Sequence, residues 1–148
     1  MKRWILTLAL FVVVAIGAYQ WRFGNLGLRN PASLSGNTCE GRDFCVSVYM
    51  APWCPHCKTA MPMVQSLLAK TQHGGKTGVR VVIGMAEPAQ SEAMGNSIAK
   101  NVVFDHDSRI AKELNVQGVP SFKVLDKEGT VIIDGPEARM WINEKFGG

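Results

Sequence analysis

The chain has 148 residues, enough for one compact domain, and 47% of them are apolar against 19% charged, so a core can form and disorder is not the default. Its formal charge of +4 comes from 16 basic and 12 acidic residues. Lys2 and Arg3 supply part of that excess, no basic stripe with interleaved aromatics occurs, and nucleic-acid binding has no support.

Met1-Lys2-Arg3 is a short basic start, followed by an apolar run from Trp4 to Tyr19 broken only by Thr7. Gln20 and Trp21 extend the run to about 18 residues, near the lower limit for a membrane-spanning helix. Trp4, Tyr19 and Trp21 fall where the two interfaces would lie, and the Lys-Arg pair stays cytoplasmic. The alternative is a cleaved signal peptide with a weak site at Ala15-Ile16-Gly17. Both readings export the remainder. The expected organisation is an anchor over 1–21, a flexible spacer over 22–38 rich in Gly, Asn and Ser, and a folded domain over 39–148. The expected location is the inner (cytoplasmic) membrane, single-pass, with the domain facing the periplasm or the cell exterior. All four cysteines then lie in an oxidising space.

Cys45 to Ala51 reads as a buried strand. Met61, Val64, Leu67 and Leu68 repeat at helical spacing, predicting a helix over about 55–71 with Pro62 kinking it and His73-Gly74-Gly75 ending it. Val79 to Met85 is a second apolar strand, and Ala89 to Lys100 looks helical. Val102 to Phe104 is briefly extended, and Asp105 or Asp107 can cap a helix carrying Ile110, Ala111 and Leu114. Ser121 to Leu125 and Thr130 to Ile133 form a hairpin about Asp126-Lys127-Glu128-Gly129. Pro136 opens a last helix with Trp141, Ile142 and Phe146 as its buried face. The order β-α-β-α-(β)-α-β-β-α gives an α/β domain with a mixed central sheet flanked by helices.

Cys54 follows a strand and opens a helix. The helix N-terminus offers unpaired amide donors and a partial positive charge, both of which favour a thiolate. His56 adds a donor, and Pro55 fits the first turn because it has no amide hydrogen to lose. Cys54 is therefore the expected nucleophile and Cys57, one turn on, the resolving thiol. A structural disulfide or half a zinc site is the plainer reading of Cys-x-x-Cys.

Ala51-Pro52-Trp53-Cys54-Pro55-His56-Cys57-Lys58 resembles the active site of the thioredoxin superfamily. Pro62 matches that family's kink proline, and Gly118-Val119-Pro120 resembles the loop whose proline is cis and faces the redox pair. The resemblance covers about residues 42–146. It implies a thioredoxin-like fold behind the N-terminal transmembrane helix, and a protein thiol-disulfide oxidoreductase needing no cofactor or metal. It also implies that Trp53, Pro55, Val119 and Pro120 line the substrate site, Val119 pairing its backbone with an extended peptide. The implied partners are exported proteins with thiols or disulfides, and a membrane or periplasmic redox partner.

Two departures matter. Val48 stands where thioredoxins place a buried acid, leaving Cys57 without that proton acceptor; Glu87, Lys58 or water are substitutes. Extra chain around residues 86–104 looks like the membrane-anchored reductases of cytochrome c maturation. Pro55-His56 instead resembles the oxidising periplasmic enzymes, and Ala51-Pro52-Trp53 resembles protein disulfide isomerases. The dipeptide carries slightly more weight, and the direction of electron flow stays open.

Cys39 and Cys45 enclose a polar turn and read first as a structural disulfide. A second redox pair relaying electrons to Cys57 is an alternative, and four-cysteine zinc a third. From a different class, a copper or zinc chaperone would use Cys54, His56 and Cys57 as ligands. His73 and His106 read as solvated, and Met61 as core.

Overall fold

A computed structural model describes residues 34–147. The expected anchor over 1–21 and most of the spacer lie outside the described residues. Among the described residues no helix is long and apolar enough to cross a membrane.

The strands are β1 (Phe44–Met50), β2 (Thr77–Gly84), β3 (Val103–Asp105), β4 (Ser121–Asp126) and β5 (Val131–Asp134). The helices are α1 (Pro55–Thr71), α2 (Pro88–Ile98), α3 (Arg109–Glu113) and α4 (Gly135–Phe146). One five-stranded sheet runs β3-β2-β1-β4-β5. The β1–β2 and β2–β3 pairs are parallel, and the β1–β4 and β4–β5 pairs antiparallel. This is a thioredoxin-like α/β arrangement.

Strand β1 sits at the centre, so its sequence is nearly all apolar. Alternation sends Val46, Val48 and Met50 to one face, where Val64, Leu67 and Leu68 of α1 and Ala138 and Ile142 of α4 complete the main core. Tyr49, on the other face, packs with Val82 and Ala111 in a smaller cluster. The last helix departs from expectation. Ala138 and Ile142 are its buried residues, whereas Trp141 and Phe146 are only half-buried. The small Ala138 lets α4 approach the sheet closely. The two large rings lie beside the contact, with Trp141 edge-on to Phe44 at 6.1 Å and to Phe146 at 6.3 Å. Met61, expected in the core, is also half-buried.

Asp105 ends β3 and organises α3. Its carboxylate accepts hydrogen bonds from the Ile110 amide at 3.0 Å, the Ala111 amide at 2.9 Å and the Tyr49 hydroxyl at 2.8 Å. Gly84 makes room for that hydroxyl, since a Cβ there would lie 2.0 Å from it. Asp107 accepts from the Arg109 amide at 3.2 Å.

The domain begins earlier than composition indicated. Leu34 is buried, and the amide of Lys100 donates to its carbonyl at 2.7 Å. The amide of Val81 donates to Gly36 at 2.7 Å and that of Thr38 to Val79 at 2.8 Å. Residues 34–38 are thus part of the fold, not spacer. A small residue on β2 permits the approach: a Cβ on Gly78 would stand 2.4 Å from the Thr38 carbonyl oxygen.

Cys39 and Cys45 are joined by a disulfide that ties this edge segment to the start of β1. A loop this short removes unfolded-state entropy worth about 2 kcal/mol. The double variant Cys39→Ser/Cys45→Ser is expected to lose about that much unfolding stability in urea. Its disulfide-exchange rate should stay within about twofold of wild type. A rate collapse without loss of stability would show that this pair takes part in the chemistry.

Candidate active site

Local chemistry builds the site at the start of α1. Cys54 is the N-cap in an extended conformation, and Pro55 occupies the first turn. The Cys54 sulfur accepts a hydrogen bond from the Cys57 amide at 3.1 Å, so one orphan donor of the helix end is spent on sulfur. Both cysteines are free thiols. Cys54 is 3% exposed and Cys57 fully buried.

The Val119-Pro120 peptide bond is cis. It brings the Val119 carbonyl to the Cys54 thiol, which donates to it at 3.4 Å. Cys54, Cys57, Val119 and Pro120 thus meet, although 65 positions separate Cys54 from Val119. Trp53, 59% exposed, immediately precedes Cys54, and its indole N–H donates to the Met85 carbonyl at 2.6 Å. His56 is exposed, and among the described residues no hydrogen bond joins it to either sulfur. Any effect it has on Cys54 is by field or by contact with a bound partner.

Burial pushes the Cys57 thiol up to about 12, the hydrogen bond with Cys54 adds to the rise, and the Ala51 backbone opposes it. Val48 shares the surrounding apolar cluster and offers no proton acceptor. Glu87 and Lys58 are both exposed and form no hydrogen bond to Cys57.

Cys39 and Cys45 are not part of this site. They sit before and at the start of β1, and Cys54 follows its far end, roughly 20 Å of strand away at 3.3 Å per residue. Direct sulfur transfer between the two pairs is out of reach. Among the described residues no three His, Cys, Asp or Glu side chains converge to hold a metal ion.

Two grooves flank the cysteines. One of about 620 Å³ lies between α1 and α2 and includes Trp53, Met61 and Met94. Another of about 890 Å³ runs from Val119 and Pro120 past Lys123 and Asp134 to Met140 of α4. The Trp53–Met85 bond and the part of α2 in the groove wall are structural features of the site that sequence reasoning missed. Neither has a short-range signal.

Comparison with known proteins is consistent with this geometry. The Redoxin family model matches residues 26–141. StoA from Bacillus subtilis superposes with a TM-score of 0.54 at 17% identity, covering 75% of this chain and 92% of that one. DsbF of MTB, in its mixed oxidised and reduced forms, gives 0.56 at 18% identity, covering 82% and 98%. A secreted Mycobacterium tuberculosis disulfide oxidoreductase homologous to E. coli DsbE gives 0.51 at 22%, covering 77% and 81%. At such identities the likeness to solved structures is one of fold. A search of curated proteins finds no match. The family match spans most of the chain: this protein belongs to the Redoxin family, is an oxidoreductase and has a thioredoxin-like fold.

Proposed function

We propose that the chain exchanges disulfides with exported proteins through Cys54 and Cys57, from an anchor in the inner membrane that leaves the domain in the periplasm or cell exterior. The observation that carries the assignment is the Cys54 sulfur held between the Cys57 amide and the Val119 carbonyl. In the oxidising direction a client thiolate attacks Cys54 of the Cys54–Cys57 disulfide. The S–S bond breaks, Cys57 leaves as a thiolate and takes up a proton, and a mixed disulfide forms at Cys54. A second client thiolate attacks the client sulfur of that bond and releases the Cys54 thiolate. Two electrons have passed from client to enzyme, and a membrane or periplasmic redox partner removes them. The backbone of Val119 aligns the client as an added strand, which fits its position before the cis proline.

The reverse, a reductase serving cytochrome c maturation, draws support from the added α2 and β3 between β2 and α3. The Cys54–Cys57 reduction potential separates the two: near −120 mV for an oxidase and near −270 mV for a reductase. As the test of the assignment itself, the full chain is expected to catalyse insulin reduction by dithiothreitol and oxidation of a reduced client. Cys54→Ala should fall to the uncatalysed rate in both assays. Retention of activity in that variant would overturn the assignment.

A further inference from the structure

We propose that the groove at the end of the sheet remote from Cys54 is a second thiol-exchange site, where small thiols bearing a carboxylate reduce the Cys39–Cys45 disulfide and Arg80 holds the carboxylate. The site does not relay electrons to Cys57 and does not depend on the chemistry at Cys54.

Three observations carry it. First, the disulfide borders open space. Both cysteines are half-buried, and with Arg80 and Leu125 they line a groove of about 490 Å³. A disulfide closed off in the core would be out of reach of an attacking thiolate.

Second, the strand register puts Arg80 beside the sulfurs. Cys45 pairs with Gly78 and Ser47 with Arg80, so Cys45 and Arg80 share one face of β1 and β2, two positions apart. Gly78, opposite Cys45, has no side chain, and the backbone of Cys39 fills the space. A Cβ on Gly78 would lie 2.7 Å from the Cys39 Cα.

Third, Arg80 is uncommitted. The other cations of the lining are engaged: Arg42 donates to the Gly75 carbonyl at 2.6 Å, and Lys127 pairs with Glu128 at 3.6 Å. Arg80 is half-buried, and its Nε is enclosed without a hydrogen-bond partner among the described residues. No carboxylate among them stands within ion-pair distance of it. Glu40, Asp43 and Asp126 also line the groove, but the first two are exposed and Asp126 accepts from the Thr130 amide at 2.8 Å. An enclosed donor without a partner is costly, and a carboxylate offers the paired acceptors that a guanidinium fork fits.

The bound thiol attacks as a thiolate. It forms a mixed disulfide with one cysteine, and the other leaves as a thiolate and takes up a proton. A second thiolate attacks the small-molecule sulfur of that bond and releases the first cysteine, which is protonated in turn. Two thiols thereby give two electrons and two protons to Cys39 and Cys45 and depart as their own disulfide. Arg80 concentrates the attacking anion, so the preference is one of rate. The pair still persists as a disulfide in buffers where Cys54 and Cys57 titrate.

The test follows the full chain in excess mercaptopropionate, mercaptoethanol or cysteamine. Acid quenching, alkylation and peptide mapping read Cys39 and Cys45 separately from Cys54 and Cys57. Rates are compared at equal thiolate concentration, each divided by that thiol's rate with a small uncharged disulfide. At low salt mercaptopropionate is expected to exceed mercaptoethanol by about fivefold, the effect of one ion pair about 4 Å apart in water, with cysteamine slowest. At about 1 M salt the advantage should fall below about twofold. In Arg80→Gln the ratio should drop to near one, whereas Arg80→Lys should keep part of it. Equal rates for mercaptopropionate and mercaptoethanol in wild type, an unchanged ratio in Arg80→Gln, or no reduction of Cys39–Cys45 by any thiol in the folded chain would overturn the site. Should Arg80→Gln fail to fold, the wild-type ratio and its loss in salt decide. Every one of these outcomes leaves exchange at Cys54 untouched.

Discussion

Cys57→Ser is expected to trap the client as a stable mixed disulfide on Cys54, visible as a covalent adduct on non-reducing gels and in intact mass. Cys54→Ser should trap none. The asymmetry follows from geometry. Cys54 caps the helix and has what exposure the pair offers, whereas Cys57 is enclosed by Val48 and its neighbours. Once Cys57 is gone, no internal thiol resolves the adduct. The wild type should share part of this behaviour. With its thiol pushed up to about 12 and a valine in place of a proton acceptor, Cys57 is the slow partner. Resolution in the reducing direction needs the Cys57 thiolate, so its rate should climb about tenfold per pH unit from pH 7 to 10 without a plateau. Val48→Asp should raise that rate at neutral pH by supplying a nearby base, at a cost in stability from the buried carboxylate. A pH-independent resolution step in wild type would show that a proton acceptor for Cys57 exists elsewhere.

The second large effect concerns stability. Asp105→Ala is expected to lower the unfolding free energy by about 3 kcal/mol or more, because the Tyr49 hydroxyl and two α3 amides lose their acceptor in a buried place. Tyr49→Phe removes one of the three bonds and should cost about 1 kcal/mol. Burial alone would raise the Asp105 pKa, but hydrogen bonds from the Ile110 and Ala111 amides and the Tyr49 hydroxyl outweigh it and hold the carboxyl below its ordinary range. A lowered folded-state pKa means that the contribution is complete above the unfolded value and is lost as pH falls through the folded one. The gap between wild type and Asp105→Ala, measured by urea unfolding, should therefore be constant near neutrality and narrow below about pH 4. A gap that widens on acidification would contradict the hydrogen-bonding account.

These residues also mark how far the sequence could be read. Helix α1 follows from short-range rules: a proline in the first turn, apolar residues at helical spacing and a glycine pair beyond its end. Its observed span, Pro55–Thr71, matches that pattern. The closeness of Cys54 to Cys57 is written in the same local spacing. Strand order and handedness of pairing are not local, and the individual strands shift by one or two residues from the apolar runs. Residues 34–38 have a linker composition, yet backbone pairing with Val79, Val81 and Lys100 holds them in the fold. Nothing nearby in the chain announces those partners. Asp105 was recognisable as a possible cap, but its bond to Tyr49 spans 56 positions. The Trp53–Met85 bond spans 32 and likewise appears only in three dimensions. Trp141 and Phe146 show the converse. Their size suggested the core, and the small Ala138 took the contact.

The central claim is that Cys54 and Cys57 form one reversible two-electron couple, distinct from the Cys39–Cys45 disulfide. Its most direct test is equilibration of the full chain in graded glutathione buffers, followed by acid quenching, alkylation and peptide mapping. The account predicts a single transition in which Cys54 and Cys57 become alkylated together, with Cys39 and Cys45 still disulfide-bonded at the midpoint. Failure of Cys54 and Cys57 to pair at any oxidising ratio, or their titration in step with Cys39 and Cys45, would contradict it.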